Sequence, residues 1–233
     1  MKQPETALIV GAGSGLSASL ARLFAQDGMR VALAAREPSK LAPLVKEIAG
    51  FAVSCDAADG AQVEAMFAAV EAKWGVPDLV VYNAGYRVRG PFVGLDPKEV
   101  ERTIRVTAYA GFLVAQAAAK RMLARGSGAV FFTGASASVK GYAESAPFAM
   151  GKFALRGLAQ SMARELAPKG IHVAHFVIDG GISRGAGDHR AGERGADGML
   201  LPDEIAKNYL HVFRQHRSAW TWEVELRPWV ERF

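Results

Sequence analysis

The stretch Val10–Leu20, VGAGSGLSASL, decides the fold. It follows the short apolar run TALIV and opens SASLARLFAQDG, whose apolar residues recur at helical spacing. A strand, a glycine-rich turn and a helix are therefore expected in that order. Gly11, Gly13 and Gly15 permit a tight turn and let a phosphate approach the backbone, and Ser14 and Leu16 share that turn. The helix would offer its free N–H groups and positive dipole end to the anion. A glycine turn after a strand can also be purely structural. The spacing departs from G-x-G-x-x-G, because Ser17 occupies the last glycine position of the related G-x-x-x-G-x-G form.

Outward from this turn the chain alternates. RVALAA, FAVSC, LVVYN, AVFFTG, IHVAHFVI and WEVEL read as further strands. Between them SKLAPLVKEIAG, AQVEAMFAAVEAKWG, the long run from Pro97 to Gly126, that from Ala146 to Gly170 and PDEIAKNYLHVFRQH read as helices. Strands separated by helices connect by crossovers, which predicts a Rossmann-type, doubly wound parallel α/β sheet of about seven strands with helices on both faces. No linker or repeat divides residues 1–233, so one dinucleotide-binding domain is expected, with a substrate-loop region at about 180–202. In such sheets ligands bind beyond the carboxyl ends of the strands, where strand order reverses.

Composition narrows the class. The chain of 233 residues is 50% hydrophobic and 22% charged, which suits a globular protein with a substantial core. No apolar run approaches the roughly 18 residues of a membrane span. The start, MKQPETALIV, lacks the long apolar region of a signal peptide, and the single cysteine, Cys55, excludes an internal disulfide. A cytoplasmic protein is expected. The net charge of +5 is spread among acids rather than gathered in a stripe, which argues against a nucleic-acid groove. His172 and His175 have no metal-ligand set beside them, so no metal site is expected.

The strand ends carry the remaining signals. After the second strand Ala35 stands where a ribose-binding carboxylate is expected, and Arg36 follows. A guanidinium can pair with a 2′-phosphate that a carboxylate would repel, which favours NADP(H) over NAD(H). After the third strand Asp56, with Ala57 beside it, can accept from an adenine amino group or can cap a turn. Cys55 has no activating neighbour and reads as a small buried residue. After the fourth strand Asn83, Ala84 and Gly85 combine small residues with an amide able to tie loops together.

In this order the glycine turn, Asp56, NAG, Lys152 in the last long helix and KGIHV resemble the short-chain dehydrogenase/reductase family over nearly the whole chain. The resemblance implies an oxidoreductase with a nicotinamide cofactor, a small-molecule substrate, and a homodimer or homotetramer built partly on the two long helices. It also implies a catalytic set of Tyr, Lys, Ser and Asn. Here only Lys152 matches, where it would contact the nicotinamide ribose. Phe148 takes the tyrosine position, Thr107 the asparagine position, and Ala135 the serine position with Ser136 one residue on. Within the family, this combination and the stretches FTGASAS, HVAHFVIDGGI and WTWEVELRPW resemble a divergent branch with Phe for Tyr and the lysine retained.

Phe148 cannot exchange a proton. Ser136, Tyr142 or Lys152 acting through water remain candidate donors, with packing the favoured role for Tyr142. The resemblance further places Gly180, Gly181 and Ile182 near the carboxamide, in a glycine- and charge-rich segment that either closes over the site or is a surface excursion. Arg184, Arg190 and Arg194 in it could meet an anionic substrate. Two functions follow: an NADP(H)-dependent oxidoreductase acting on a carbonyl or alcohol, or a catalytically impaired NADP(H)-binding pseudoenzyme that binds or senses.

Overall fold

In a computed structural model that describes residues 3–185 and 187–231, the seven expected runs are strands. The ends of the expected 1–233 domain, and Ala186 within the expected loop, lie outside the described residues. Chain order is β1 (Thr6–Val10), α1 (Leu16–Gln26), β2 (Arg30–Ala35), α2 (Ala42–Glu47), β3 (Phe51–Ser54), α3 (Gly60–Trp74) and β4 (Leu79–Tyr82). Then come α4 (Pro97–Ile104), α5 (Ala110–Arg125), β5 (Gly128–Thr133), α6 (Ala146–Leu166) and β6 (Ile171–Ile178). The chain closes with β7 (Gly181–Ile182), α7 (Arg190–Arg194), β8 (Met199–Leu200), α8 (Pro202–Phe213) and β9 (Glu223–Leu226).

Seven of the strands form one parallel sheet in the order β3-β2-β1-β4-β5-β6-β9, and β7 pairs with β8 apart from it. The chain thus leaves β1 first to one side and later to the other, which opens the crevice between the carboxyl ends of β1 and β4. Alternate residues of each strand serve opposite faces. Leu8, Val10, Val80, Tyr82, Val130 and Phe132 pack toward α3, α5 and α6. Ala7, Ile9, Leu33, Val81, Phe131 and Phe176 pack toward α1, α2 and α8. Each fully buried large apolar side chain contributes about 1.5–3 kcal/mol, so the sheet is the rigid part on which the loops are mounted.

The long helix from Pro97 departs from expectation in one turn. Asp96 caps its start through Lys98 N–H and Gly126 ends it with φ +73°, but Arg105–Tyr109 is wound as a π turn between α4 and α5. Such turns commonly sit at functional sites. Tyr82, buried at the end of β4, donates to the Val106 carbonyl at 2.5 Å inside this turn. Thr107 lies here with its side chain buried.

The last strand is tied down by charge and aromatic contacts. Arg156 on α6 grips Glu223 on β9 with two hydrogen bonds of 2.6 and 2.7 Å. His172 stacks on Trp220 at 4.6 Å and bonds the Thr221 carbonyl at 2.9 Å, which is a packing role. The expected 180–202 segment is partly ordered by β7, β8 and α7, small elements that its glycine content hid.

At the crevice the backbones of two strand ends touch. Gly11 has φ +83°, and a Cβ there would lie 2.5 Å from Ala84 N. Both the dihedral and the space therefore require glycine. Gly11→Ala is expected to lower the unfolding free energy by about 2–4 kcal/mol, read as a fall in the urea midpoint. Gly13→Ala, whose Cβ would have no neighbour within 4 Å, is expected to stay within about 0.5 kcal/mol. Equal losses in the two variants would contradict this assignment.

Candidate active site

The crevice opens into a cavity of about 720 Å³ bordered by Gly11, Gly13, Ser14, Arg36, Asp56 and Ala57 on one side and Asn83–Gly85 on the other. The turn that forms it is held by polar groups at its base. Gly11 and Ala12 both donate N–H to the Ala34 carbonyl at 3.0 Å. Ser17, at the missing glycine position, donates to the Gly11 carbonyl at 3.2 Å and accepts from Asn83 Nδ2 at 2.7 Å. Its hydroxyl thus knots the first and fourth strand ends. Among the described residues, no atom beyond the adjoining backbone lies within 4 Å of the Cβ position at Gly13 or Gly15, so that side of the turn is open. Leu16 is buried beneath it.

Arg36 is exposed at the edge of this cavity, where its neighbour Lys40 is paired with Glu37 at 2.7 Å. Asp56 accepts from Ala58 N–H at 3.0 Å through one oxygen, so it caps a turn while bordering the cavity. Burial, aided by Asp56 and Asp59, pushes the Cys55 thiol up to about 11, which makes it a poor nucleophile.

The crevice continues into a second cleft of about 560 Å³ with Lys152 on its wall. The Lys152 side chain is buried, 6% exposed, and its ammonium donates to the Thr133 carbonyl at 2.7 Å. It reaches past Gly85, whose Cβ position is 3.8 Å from Nζ. Desolvation pushes the ammonium down to about 8. One turn earlier, the Phe148 ring has two cations beside it, Lys152 Nζ at 5.8 Å and Arg87 Cζ at 5.1 Å from its centroid. Ser136 and Tyr142 border the same cleft, and Ser145 brings to its wall a buried hydroxyl without a partner among the described residues.

Several expected residues sit differently. Thr107 does not border either cavity, because its hydroxyl is turned to the backbone of Tyr86, accepting from N–H at 3.3 Å and lying 3.4 Å from the carbonyl. Gly180 and Gly181 border the second cleft and its mouth, but a Cβ at Gly180 would meet Pro228 at 2.8 Å and one at Gly181 would meet Arg194 at 3.0 Å. The Pro228 ring thus crowds Gly180, whereas at Gly181 the contact is with the flexible end of Arg194. Ile182 lies beside them. Arg190 is bound to Asp188 at 2.7 Å and Arg194 to Glu231 at 3.0 Å, so of the three expected cations only Arg184 has its guanidinium unengaged among the described residues.

Sequence reading passed over Arg87 and Arg89, although both follow β4 within a few residues, where the sheet rule directs attention. His175 is a packed core residue rather than a metal ligand. That side chain is fully buried with Nδ1 3.1 Å from Glu223, and Nε2 faces Gly134, where any Cβ would overlap it. Desolvation, with further repulsion from Lys152 and Arg156, outweighs Glu223 and pushes the imidazole down to about 4, so it is neutral at pH 7.

This geometry has counterparts. A family model described as short chain dehydrogenase matches residues 5–184. The chain belongs to the short chain dehydrogenase family. It is 31% identical over 194 residues to a 3alpha-hydroxysteroid dehydrogenase of Mediterraneibacter gnavus, covering 79% of this chain and 76% of that protein. A crystal structure of a short-chain dehydrogenase from Rhodopseudomonas palustris is 36% identical and covers 98% of this chain and 100% of its own, with TM-score 0.84. A gluconate 5-dehydrogenase from Burkholderia cenocepacia, in complex with NADP and tartrate, is 27% identical over 97% of this chain and 95% of its own, with TM-score 0.85.

Lys152 yields a stability signature. Its pKa is depressed in the folded chain from 10.5 to about 8, so between those values the unfolded chain binds more protons and stability rises with pH. The burial penalty is fully present below that window. Lys152→Met is therefore expected to be more stable than the parent at pH 7, by about 1–3 kcal/mol after loss of the Thr133 hydrogen bond. The gain is expected to shrink by pH 10. Urea melts at both pH values check this, and a gain independent of pH would contradict it.

Proposed function

We propose that this protein is an NADP(H)-dependent oxidoreductase that moves a hydride between the nicotinamide and a carbonyl or alcohol carbon of a small molecule. The observation that carries the reading is the buried Lys152 ammonium, fixed on the Thr133 carbonyl in a cleft that runs on from an open glycine turn. Burying a cation without a carboxylate partner is costly, and a ligand is the usual reason to retain one. The NADP held by the related gluconate 5-dehydrogenase supports the same cofactor.

The residues present fit the dinucleotide. The free faces of Gly13 and Gly15, with Ser14 and the start of α1, would take the diphosphate. Arg36 would take the 2′-phosphate, Asp56 and Ala57 the adenine edge, and Asn83–Gly85 the space beneath the nicotinamide ribose. Lys152 would hold that ribose, with Gly180–Ile182 beside the carboxamide. Bound there, the cofactor supplies or accepts the hydride.

The chain's own task is to position the substrate and handle one proton. Ser136 and Tyr142 offer hydroxyls at the cleft wall, and Lys152, with a pKa near 8, can exchange a proton through water near neutral pH. Loss of the direct phenolic donor is expected to cost about 10²–10⁴-fold in rate, which slows hydride transfer without abolishing it. Thr107 acts as a positioning residue by holding the Tyr86 backbone. The whole chain works as one cytoplasmic unit, and exposed Tyr109, Phe112, Met150 and Phe153 on the two long helices suit a homodimer or homotetramer.

The ring at position 148 favours a second reading, an NADP(H)-binding pseudoenzyme that signals by binding. Calorimetric titration with NADPH and NADH, followed by a carbonyl and alcohol panel, separates them. Arg36→Ala is expected to weaken NADPH by about 10–100-fold while leaving NADH nearly unchanged. Lys152→Ala is expected to weaken both nucleotides and to remove turnover. Binding without turnover across the panel supports the pseudoenzyme, and no nucleotide binding would reject both readings.

A further inference from the structure

The rim of the substrate cleft carries more positive charge than its neighbours balance. Arg87 and Arg89 from the loop after β4, and Arg184 from the segment after β7, all border one cavity of about 600 Å³, and Arg87 and Arg184 extend into the cleft of Lys152. The carboxylates nearby are already engaged. Asp179 accepts from Lys140 at 3.1 Å and lies 3.6 Å from Arg227, Glu231 pairs with Arg194, and Asp188 with Arg190. None of the three remaining guanidinium groups has an ion pair or a side-chain hydrogen bond among the described residues. Unpaired arginines occur singly on any surface; here three share one cavity.

Their placement points to a ligand rather than to solubility. Like charges in one concavity repel, and partial burial together with Arg89 already lowers the Arg87 pKa. The Arg87 guanidinium also lies over the Phe148 ring, at the position where the family's resemblance puts the proton donor. A guanidinium so placed offers a planar fork of donors to a carboxylate or phosphate, which Phe148 itself cannot do. Ser145, whose buried hydroxyl is without a partner, adds a further polar group to the same wall.

We propose that the substrate of this cleft carries an oxyanion, a carboxylate or a phosphate, which Arg87 and Arg184 bind directly and Arg89 attracts. This rests on reading the cleft as the substrate pocket and narrows the substrate class to anionic carbonyl or alcohol compounds. The anion offsets the local repulsion, and it fixes the reacting carbon without help from a tyrosine hydroxyl. Positioning then supplies part of what the missing phenol would have contributed.

The test measures binding, so it does not depend on turnover. Three probes are titrated calorimetrically into the free protein and into protein saturated with NADP⁺: 4-formylbenzoate, 4-formylphenyl phosphate and methyl 4-formylbenzoate. At least one anionic probe is expected to bind about tenfold or more tighter than the neutral ester, and the stronger of the two anions identifies the headgroup. Arg87→Gln and Arg184→Gln are each expected to remove most of that preference while leaving NADP⁺ affinity unchanged, and Arg87→Lys to restore part of it. Equal binding of ester and anions, or no binding of either anion, would overturn the proposal. So would a loss of NADP⁺ affinity in the variants with the anion preference intact, because the arginines would then serve the cofactor diphosphate. If the preference holds but NADPH reduces none of the probes, the anion site stands and the oxidoreductase reading is what fails.

Discussion

The crevice exists because two backbones approach more closely than side chains allow. Gly11, at the end of β1, turns with φ +83° directly against Ala84 at the end of β4. Parallel strands at 4.7–4.9 Å spacing leave no room for a Cβ between loops that both bend over the sheet edge. The knot below this contact, from Asn83 through Ser17 to the Gly11 carbonyl, fixes the relative height of the two loops. With that height fixed, Gly13 borders the first cavity and Gly15 the one lined by Arg87 and Arg184, and the wall bearing Lys152 begins where the NAG segment ends. Ser17 thus substitutes a hydrogen bond for the flexibility of the glycine it replaces.

The second constraint is electrostatic. A lysine buried without a carboxylate holds its proton less firmly than an exposed one, and the Thr133 carbonyl is its one fixed acceptor among the described residues. Phe148 keeps the ring of a tyrosine without its hydroxyl, and its π face lies near both Lys152 and Arg87. The ring quadrupole favours such cations by about 0.5–2 kcal/mol, more when water is excluded. The Phe148 ring thus has no proton to give, yet it offers a surface that tolerates positive charge on its flank.

Much of this was legible in the chain. All seven strands of the main sheet came from β-branched runs bounded by glycine or charge, because a parallel sheet buried on both faces needs continuous apolar strands. The helices came from their period. What stayed hidden is set by tertiary contact rather than local pattern. The π turn at Arg105–Tyr109 has no signature in residues that are ordinary helix formers or β-branched. Gly180 and Gly181 were placed beside the carboxamide, yet the crowding of Gly180 by Pro228, distant in sequence, has no local signature. Arg190 and Arg194 looked equivalent to Arg184, and only folding reveals that carboxylates at Asp188 and Glu231 reach the first two. Arg87 and Arg89 were readable in principle, since they follow a strand end, but nothing local separates them from solvated loop cations.

The overlap between Gly134 and His175 has a bearing on how such a chain can change over time. An alanine at 134 has nowhere to go while the imidazole is present, whereas a smaller residue at 175 only leaves a void beside Glu223. Loss of the ring would not by itself admit a side chain at 134, because the Phe176 carbonyl lies 2.8 Å from the same Cβ position. Descendants that kept the histidine are locked into glycine at the neighbouring strand, whatever selection acts on the rest of the cleft.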